Sequence, residues 1–346
     1  MPVTIHDIAK LTGKSYPTVS RALNNHPKIS VKTRDQIKAA AKLLGYRPSF
    51  AGTSLQCGKT KTINVIIPNL RNPFYAKMID EAQRHCRLYG YAININVYNF
   101  DPKMEYQYFD RVLNRTCDGV ICQPTSFRHT GELFNQMWEF NIPCVSIGVP
   151  QGAENVNVDM VDIDFSPSRV AYLASLGHRN IVYAISGHDK FQIDICSQGF
   201  QKEMAAAGLP FSPEKNLCAI YGYSHDLADC GYCCGQKLFK EYPQATAVVA
   251  VNDAVACGII RAAVEAGIDI PGDVSIIGQD NIWPGLYTPV QLSTYDLNLE
   301  DAVKKCFELM FDSPRPRSPI VTKVKGSLVI RASTGPVKSD KFNKCP

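Results

Sequence analysis

The sequence of 346 residues lacks the features that mark membrane and secreted proteins. No apolar run reaches the about 20 residues that span a bilayer, and MPVTIHDIAK, the first ten residues, has no apolar run after a basic stretch. The 13 cysteines are odd in number and lie mostly in apolar segments such as Val120–Cys122, which indicates reduced core residues. We expect an unexported, soluble protein of the cytoplasm with two or three domains.

Motifs of the common enzyme classes are also missing. The GKT at residues 58–60 resembles part of a phosphate loop, but the nearest upstream glycine, Gly52, is one residue too far away and no strand precedes it. The C-x-x-C at residues 230–233 has no second pair at zinc-finger spacing, and its helical setting favours core packing. His178 lies at a predicted helix end, where a capping role is expected. No nucleophile elbow is present, so we expect no catalytic site, metal or cofactor.

Acidic residues are scarce in the first 60 residues, although the whole chain carries a net charge of only +5. That segment holds ten lysines and arginines against two aspartates, a net charge of +8, which leaves −3 on the other 286 residues. A basic N-terminal module on a mildly acidic body predicts a polyanion partner that binds at one end of the chain.

The basic module predicts three short helices. Thr4 with Asp7 suits the start of the first helix, and Ser15 and Ser30 suit the starts of the second and third. Pro17 then falls in the first turn of the second helix, where its missing N–H breaks no hydrogen bond. Apolar residues spaced three and four apart give each helix one inward face. Two helices joined by a short glycine turn and braced by a third form a helix-turn-helix arrangement.

The second predicted helix begins with polar side chains in the stretch YPTVSRALNN, residues 16–25. A recognition helix enters the major groove with its N-terminus first, so its early residues must offer hydrogen-bonding groups. Tyr16 and Arg21 suit base edges, and Thr18 and Ser20 suit phosphates. A lone amphipathic helix of this kind is more often a solvated face. The turn, the caps and the charge favour DNA binding here.

Residues 61–331 predict an α/β body made of two doubly wound lobes. Short β-branched runs at 62–67, 92–97, 119–121 and 144–147 alternate with helical stretches, and the pattern restarts with a helix that ends at Gly177 and runs at 181–185, 247–250 and 274–278. Doubly wound sheets bind ligands beyond the carboxyl ends of their strands. The side chains after these strands are therefore candidates for binding a small molecule.

The segment VTIHDIAKLTGKSYPTVSRALNNHPKISVKTRDQIKAAAKLLGYRP resembles the DNA-binding domain of the lactose-repressor (LacI/GalR) family. TINVIIPNLRNPFYAKMIDEA, CDGVICQPTS, LGHRNIVYAISG, AVVAVNDAVACGIIRAAVEAGIDIPGDVSIIGQDN and SLVIRAST resemble family landmarks in family order. The resemblance implies a DNA-binding transcription regulator, a repressor of carbohydrate metabolism that binds a pseudo-palindromic operator as a homodimer. It also implies a body of periplasmic-binding-protein type, whose chain crosses between the lobes three times around an effector cleft.

The implied organisation is a helix-turn-helix domain at 1–47, a hinge at 48–60, an effector-binding and dimerisation body at 61–331 and a polar tail at 332–346. The expected DNA contacts are Thr4, Ser15, Tyr16, Pro17, Thr18, Ser20, Arg21, Asn24, Ser30 and Leu55. In the family the hinge folds into a helix on DNA and a leucine corresponding to Leu55 wedges between base steps. Gly52 disfavours that helix by about 1 kcal/mol relative to alanine, so we expect a hinge that is disordered off DNA.

Small-molecule contacts are expected from Phe74, Tyr75, Gln123, Ser126, Cys196, Asn252, Asp280 and Trp283. The family resemblance implies effector contacts at four of these positions: Phe74, Tyr75, Asn252 and Asp280. Cys196 departs from the family, which usually has an arginine at this position, and a thiol cannot replace the charged donors of a guanidinium. We therefore expect a neutral, hydroxyl-rich saccharide as the effector, unless Lys190 or Gln192 substitutes for the arginine.

Two other functions remain open on the sequence alone. A soluble sugar-binding protein of periplasmic type shares the lobes, but it would need an export signal and no basic module. A sugar-modifying enzyme on the same lobes would consume its ligand. The closing stretch GPVKSDKFNKCP has no leucine heptads, so a tetramerising helix is not expected.

Overall fold

The structure, a computed structural model, describes residues 3–47, 58–124, 126–166, 168–187, 190–221, 227–312 and 318–338, without the side chains of residues 191 and 192. Leu55, most of the predicted hinge, the end of the predicted tail and the side chain of Gln192 lie outside this part. The chain forms two compact units, Met1–Thr60 and Lys61–Pro346. In the described ranges no helix has the length and apolar character needed to cross a membrane.

The N-terminal unit contains the three helices that the sequence predicts: α1 (Ile5–Thr12), α2 (Tyr16–Leu23) and α3 (Val31–Leu43). Gly13 makes the turn between the first two with a φ of +64°, a conformation that glycine adopts without a steric penalty. The helices enclose a small apolar core of Ile8, Val19, Ala22, Ile37, Ala40 and Ala41. This core fixes the outward face of α2.

Thr4, Ser15 and Ser30 are the N-cap residues of the three helices, as expected. The Asp7 carboxylate accepts hydrogen bonds from the backbone N–H of Thr4 at 2.9 Å and from its hydroxyl at 2.8 Å. The hydroxyl of Ser30 accepts from the amide of Thr33 at 3.3 Å. Ser15 precedes α2, but its hydroxyl bonds to the hydroxyl of Thr18 at 2.9 Å and caps no backbone amide. Ser15 is therefore the N-cap residue of α2, as predicted, although its hydroxyl pairs with a neighbouring hydroxyl and not with a backbone amide.

The first lobe of the body is built on a six-stranded parallel sheet in the order β11-β5-β4-β3-β1-β2. Its strands are β1 (Thr62–Ile67), β2 (Ala92–Val97), β3 (Gly119–Cys122), β4 (Cys144–Ile147), β5 (Asp159–Asp164) and β11 (Val321–Lys325). Its helices are α4 (Pro73–Tyr89), α5 (Pro102–Leu113), α6 (Gly131–Glu139) and α12 (Leu299–Phe307), with a 3-10 turn at Ala153–Asn155 and a π-turn at Glu308–Asp312. Every residue of β1 is buried, as expected for an inner parallel strand.

The second lobe contains a four-stranded parallel sheet in the order β7-β6-β8-β9. Its strands are β6 (Ile181–Gly187), β7 (Leu217–Tyr221), β8 (Ala247–Ala250) and β9 (Ser275–Ile277), and β10 (Thr294–Asp296) pairs antiparallel with β12 (Ser327–Val329). Its helices are α7 (Arg169–Ser175), α8 (Lys190–Ala206), α9 (Pro213–Asn216), α10 (Leu227–Glu241) and α11 (Asp253–Glu265), with a 3-10 turn at Trp283–Leu286. The predicted strands of both lobes are confirmed to within two residues at each end.

The chain passes between the lobes three times, as predicted: after β5, after β10 and between β11 and β12. The third crossing requires Gly326, because a Cβ there would lie 2.2 Å from the Tyr295 ring and 2.7 Å from the Asp296 carbonyl oxygen. Parallel strands direct their carboxyl ends to one edge of each sheet, so the loops that follow them form the candidate effector cleft.

The residues that follow position 331 still pack against the body. Ser333 is fully buried and its hydroxyl donates to the carbonyl of Ile276 at 2.6 Å. The ring of His178, 1% exposed, lies 3.0 Å from the Thr246 hydroxyl and 2.9 Å from the carbonyl oxygen of Gly335. The ring of His178 is thus a buried bridge, and its backbone amide also caps the end of α7, as expected, by donating to the carbonyl of Leu173 at 3.2 Å. Lys338 still pairs with Asp269 at 3.4 Å, so the body extends beyond the boundary predicted at 331.

Candidate DNA-binding surface and effector cleft

Helix α2 separates its polar and apolar residues as a recognition helix requires. Tyr16, Pro17 and Arg21 are exposed, and Thr18 and Ser20 are half-buried. Val19 and Ala22, on the opposite face, are completely buried. The remaining predicted contacts in the described part of the unit are all exposed near helix ends, and they are Thr4, Ser15, Asn24 and Ser30. The unit therefore exposes hydrogen-bonding groups on α2 and at the ends of its helices.

A stacked pair of rings that the sequence analysis missed fixes the start of α2. The imidazole of His6, on α1, lies 5.1 Å from the ring of Tyr16 with an interplanar angle of 29°. Tyr16 remains 43% exposed in this arrangement. Stacking restricts the rotamers of an exposed tyrosine, which lowers the entropy lost when it binds.

Two of the basic residues in this unit have structural partners. The guanidinium of Arg34 donates to the carbonyl oxygens of His26 at 3.4 Å and Ile29 at 3.2 Å, and Lys38 donates to the Asn25 side chain at 2.6 Å. These contacts hold the loop between α2 and α3. The other described basic side chains are exposed, and they are Lys10, Lys14, Arg21, Lys28, Lys32, Lys42, Arg47 and Lys59. The surface charge of the unit is therefore strongly positive, as a phosphate backbone requires.

In the first lobe, the residues after β1 start helix α4. The Asn72 side chain caps this helix by accepting from the amide of Phe74 at 3.0 Å. Phe74 and Tyr75 are 3% and 9% exposed, and their rings meet edge to face at 5.1 Å. Both rings belong to the core of the first lobe.

Gln123 and Ser126 follow β3. The carbonyl of Gln123 accepts from the Tyr98 hydroxyl at 3.0 Å, and its side-chain Oε1 is buried without a hydrogen-bond partner among the described residues. The hydroxyl of Ser126 accepts from the amide of Arg128 at 3.2 Å. A buried, unpaired amide oxygen is unusual and favours a ligand or water partner.

In the second lobe, Asn252 and Asp253 follow β8. Asn252 caps α11 by accepting from the amide of Val255 at 2.9 Å. Asp253, which the sequence analysis did not select, is 1% exposed and accepts from the Thr294 hydroxyl at 2.6 Å and the amide of Ile282 at 3.0 Å. Burial raises the pKa of Asp253 to about 7, against the hydrogen bonds that lower it.

Asp280 follows β9 and is held from both lobes. Its φ of +105° is strained for a residue other than glycine, and its amide donates to the carbonyl of Tyr295 at 2.9 Å. Its carboxyl group, on a residue only 5% exposed, accepts from the side-chain amide of Asn72 at 3.4 Å. Burial, and next the charge of Asp253, raise the pKa of Asp280 well above its usual range. The predicted position of Asp280 at the cleft is thus strained and cross-linked between the lobes.

Cys196, on α8, is half-buried, and burial raises the pKa of its thiol while the charge of Arg169 opposes that shift. Arg169, the first residue of α7, is 5% exposed and was not selected from the sequence. It donates to the carbonyl of Ala250, the last residue of β8, at 2.9 Å and to Glu203 at 3.4 Å. A guanidinium therefore lies at this end of the second lobe, but Arg169 on α7 supplies it and not the residue at position 196 on α8. Lys190 is exposed.

Trp283 lies on the 3-10 turn after β9 and is 67% exposed. Its ring meets that of Tyr287 at 6.1 Å, edge to face, and Tyr287 is 79% exposed. The two rings form an exposed aromatic pair on the second lobe. In the described ranges, no group of three or more histidine, cysteine or acidic side chains has a metal-binding arrangement.

Known proteins resemble both units. Residues 4–49 match the family described as bacterial regulatory proteins, lacI family, and residues 170–334 match the periplasmic binding protein-like domain. The repressor PurR of Histophilus somni is 29% identical over 337 residues, covering 95% of this chain and 98% of its own. Catabolite control protein A of Priestia megaterium is 30% identical over 287 residues, covering 81% of this chain and 83% of its own. The chain belongs to the lacI family of bacterial regulatory proteins.

Solved structures agree with the fold of this lacI-family chain. The lac repressor dimer bound to operator and the anti-inducer ONPF has a TM-score of 0.77 at 19% identity, covering 97% of this chain and all of its own. The regulator CelR in complex with cellobiose has a TM-score of 0.66 at 21% identity, covering 96% and 99%. The predicted family, fold and role as a DNA-binding transcription regulator are confirmed. The N-terminal match also decides against a periplasmic sugar-binding protein.

Proposed function

We propose that this lacI-family regulator is a homodimeric repressor of carbohydrate-metabolism genes whose effector is a neutral sugar. The observation that carries the sugar is the chemistry of the strand ends: amide and carboxyl groups from Gln123, Asn252 and Asp280 offer donors and acceptors to hydroxyls. Cys196 supplies no cation, and the nearby Arg169 is engaged by Glu203 and by a backbone carbonyl. The cellobiose bound by the structural neighbour CelR is a sugar of this class.

The DNA half of the proposal uses the exposed start of α2. Tyr16 and Arg21 contact base edges in the major groove, while Thr18, Ser20 and the surrounding lysines contact phosphates. Two such helices in a dimer bind the two halves of a pseudo-palindrome. The implied domain limits are 1–47 for the DNA-binding domain and 48–60 for the hinge, and the effector acts by shifting the equilibrium between conformers.

The first experiment is thermal denaturation against neutral sugars, acidic sugars, sugar phosphates and purines. A ligand that binds only the folded state raises the melting temperature in a concentration-dependent way. A shift with a neutral sugar alone is expected, and recovery of that sugar unchanged separates binding from turnover. A shift with an anionic compound alone would overturn the assignment of the effector class.

The second experiment tests the DNA half. Operator duplexes are selected from a random pool by the full chain, and binding is titrated with and without the sugar that shifts the melting temperature. Arg21→Ala serves as the matched variant, because Arg21 belongs to the N-terminal unit and every strand end belongs to the body. A change in operator affinity on adding the sugar supports regulation by that sugar. If the selected pool shows no preferred sequence, the proposal of sequence-specific DNA binding is contradicted.

A further inference from the structure

A buried arginine lies where the central part of the second lobe's sheet ends. Arg169 is the first residue of α7, and its Nη1 donates to the carbonyl of Ala250, the last residue of β8, at 2.9 Å. Asn252, one of the predicted effector contacts, lies only two residues beyond Ala250. Because doubly wound sheets bind ligands beyond the carboxyl ends of their strands, this guanidinium borders the candidate effector cleft.

Helix α8 supplies the counter-charge of this arginine. The Nη2 of Arg169 donates to one carboxylate oxygen of Glu203 at 3.4 Å, and the backbone amide of Val170 donates to the other oxygen at 3.4 Å. Cys196 precedes Glu203 by seven residues, which is two helical turns, so both lie on the same face of α8. Burial raises the pKa of the Cys196 thiol, and the charge of Arg169 opposes that rise. The guanidinium therefore lies against the face of α8 that carries the thiol.

One carboxylate offsets this one guanidinium. Within the described part of the chain, Glu203 is the only acid that forms an ion pair with Arg169. Asp253 and Asp280, the other buried acids at this end of the sheet, form no such pair with it. The phenol of Tyr183, which also faces the guanidinium, is uncharged because burial raises its pKa. The positive charge that an anionic ligand would seek is therefore already compensated inside the protein.

The guanidinium nevertheless keeps a donor that no protein group uses. An arginine has five N–H groups, and the Nε–H of Arg169 is buried without a hydrogen-bond partner in the described ranges. Among the residues that the structure describes, two more buried atoms without partners lie at strand ends: Oε1 of Gln123 after β3 and the hydroxyl of Ser186 at the end of β6. Buried polar groups are almost always paired, so unpaired atoms at the ends of three strands indicate a polar ligand or ordered water there.

We propose that Arg169 is the guanidinium donor of the effector cleft and that Glu203, by neutralising it, sets the preference of the cleft for uncharged ligands. Arg169 then donates an N–H to a hydroxyl or ring oxygen of the effector. An anion would have to compete with Glu203 for the guanidinium and bind beside a second negative charge, which selects against it. Glu203 is thus a specificity-determining residue that acts through Arg169. The inference rests on the proposed function for the sugar, whereas the effect of the ion pair on anions does not.

Three variants separate the charge of the pair from its shape. In Glu203→Gln the amide oxygen can still accept from Arg169 and Val170, but the guanidinium loses its counter-charge. The double variant Arg169→Gln/Glu203→Gln carries neither charge. Glu81→Gln is the control, because Glu81 pairs at 2.7 Å with Arg84, whose side chain is 47% exposed and screened by water. Only Glu203→Gln is expected to gain affinity for an anion.

The charge is tested first with inorganic phosphate, by calorimetric titration of the full chain without sugar. The basic N-terminal unit is the same in all these proteins, so its own phosphate binding cancels in the comparison. Phosphate should bind Glu203→Gln at least about tenfold more tightly than the wild type, the size of a hydrogen bond to a charged group. Equal affinities, or the same gain in the double variant, would overturn the proposal. If Glu203→Gln fails to fold, Glu203→Asp, whose shorter side chain weakens the pair, must show a smaller gain.

The ligand preference is then measured with cellobiose and cellobionate, which differ by a carboxylate at the oxidised end. The ratio of their affinities should shift toward cellobionate by at least about tenfold in Glu203→Gln, while the double variant should bind cellobiose more weakly than the wild type. An unchanged ratio would overturn the role of Glu203. Failure of cellobiose and every other neutral sugar to bind, with the phosphate gain present, would refute the proposed sugar class and leave the charge assignment supported. Binding of cellobiose without the phosphate gain would do the reverse.

Discussion

The helical N-terminal unit and the α/β body place their functional charges in opposite environments. Arg21 and most lysines of the N-terminal unit are exposed, whereas Asp253, Asp280 and Arg169 in the body are at most 5% exposed. Exposed charges attract a polyanion and contribute little to folding. Buried charges are coupled both to folding and to whatever enters the cleft. Arginine thus serves recognition in one unit and energetic coupling in the other.

The largest effect is expected from removing a buried charge. Arg169→Ala leaves Glu203 without its ion-pair partner and the carbonyl of Ala250 without its donor. We expect the free energy of unfolding of the body to fall by about 3–5 kcal/mol, as when one partner of a buried pair is lost. Urea denaturation followed by tryptophan fluorescence measures this loss, since both tryptophans lie in the body.

The matched control is Arg84→Ala on α4. Arg84 is also an arginine with acidic partners, Glu81 at 2.7 Å and Glu300 at 3.3 Å, but its side chain is 47% exposed. Its loss should leave the free energy of unfolding nearly unchanged, because water screens exposed ion pairs. Equal effects of the two substitutions would remove the distinction between buried and exposed charge in this body.

The contrast also explains which features the sequence revealed. The N-terminal unit is determined locally, so helix caps, the glycine turn and three- and four-residue spacing predicted α1, α2 and α3 and the exposure of Tyr16 and Arg21. Strands β1–β4, β6, β8 and β9 were predicted for the same reason, whereas β5, β7, β10, β11 and β12 were not. Arg169 was missed because an arginine at a helix start resembles a solvated residue, and only the fold brings it against Ala250, 81 positions away. The contact of Asn72 with Asp280 spans 208 positions and is equally invisible in the sequence.

An intermediate effect is expected at the DNA-binding surface. Arg21→Ala removes a proposed bidentate contact to a base and should cost about 1–3 kcal/mol of discrimination between the selected operator and unrelated DNA. Because Arg21 is exposed, the melting temperature of the body and the response to the sugar should not change. Fluorescence anisotropy with both duplexes measures the specificity. Parallel loss of DNA and sugar binding would contradict the independence of the two units.

A pH-dependent effect is expected from titrating Asp253. Its pKa of about 7 in the folded protein exceeds the ordinary value of 3.8, so the folded state binds the proton more tightly than the unfolded state. The contribution of this group to stability is complete below about pH 4 and declines as the pH rises to about 7, by at most about 1.4 kcal/mol per pH unit. Asp253→Asn does not titrate, so the wild type should lose stability relative to this variant as the pH rises. Melting curves that stay parallel would show that the carboxylate is already ionised at low pH.

The smallest effect is expected from Tyr16→Phe. The phenyl ring keeps the stacking on His6, and the substitution removes only a hydroxyl from a side chain that is 43% exposed. If that hydroxyl makes one hydrogen bond to the operator, affinity should fall by about 0.5–1.5 kcal/mol with no change in the free energy of unfolding. His6→Ala is the complementary variant, since it keeps the hydroxyl and frees the ring. A loss for His6→Ala as large as that for Tyr16→Phe would show that holding the ring matters as much as the contact it makes, which would extend preorganisation from the buried cleft to the exposed surface.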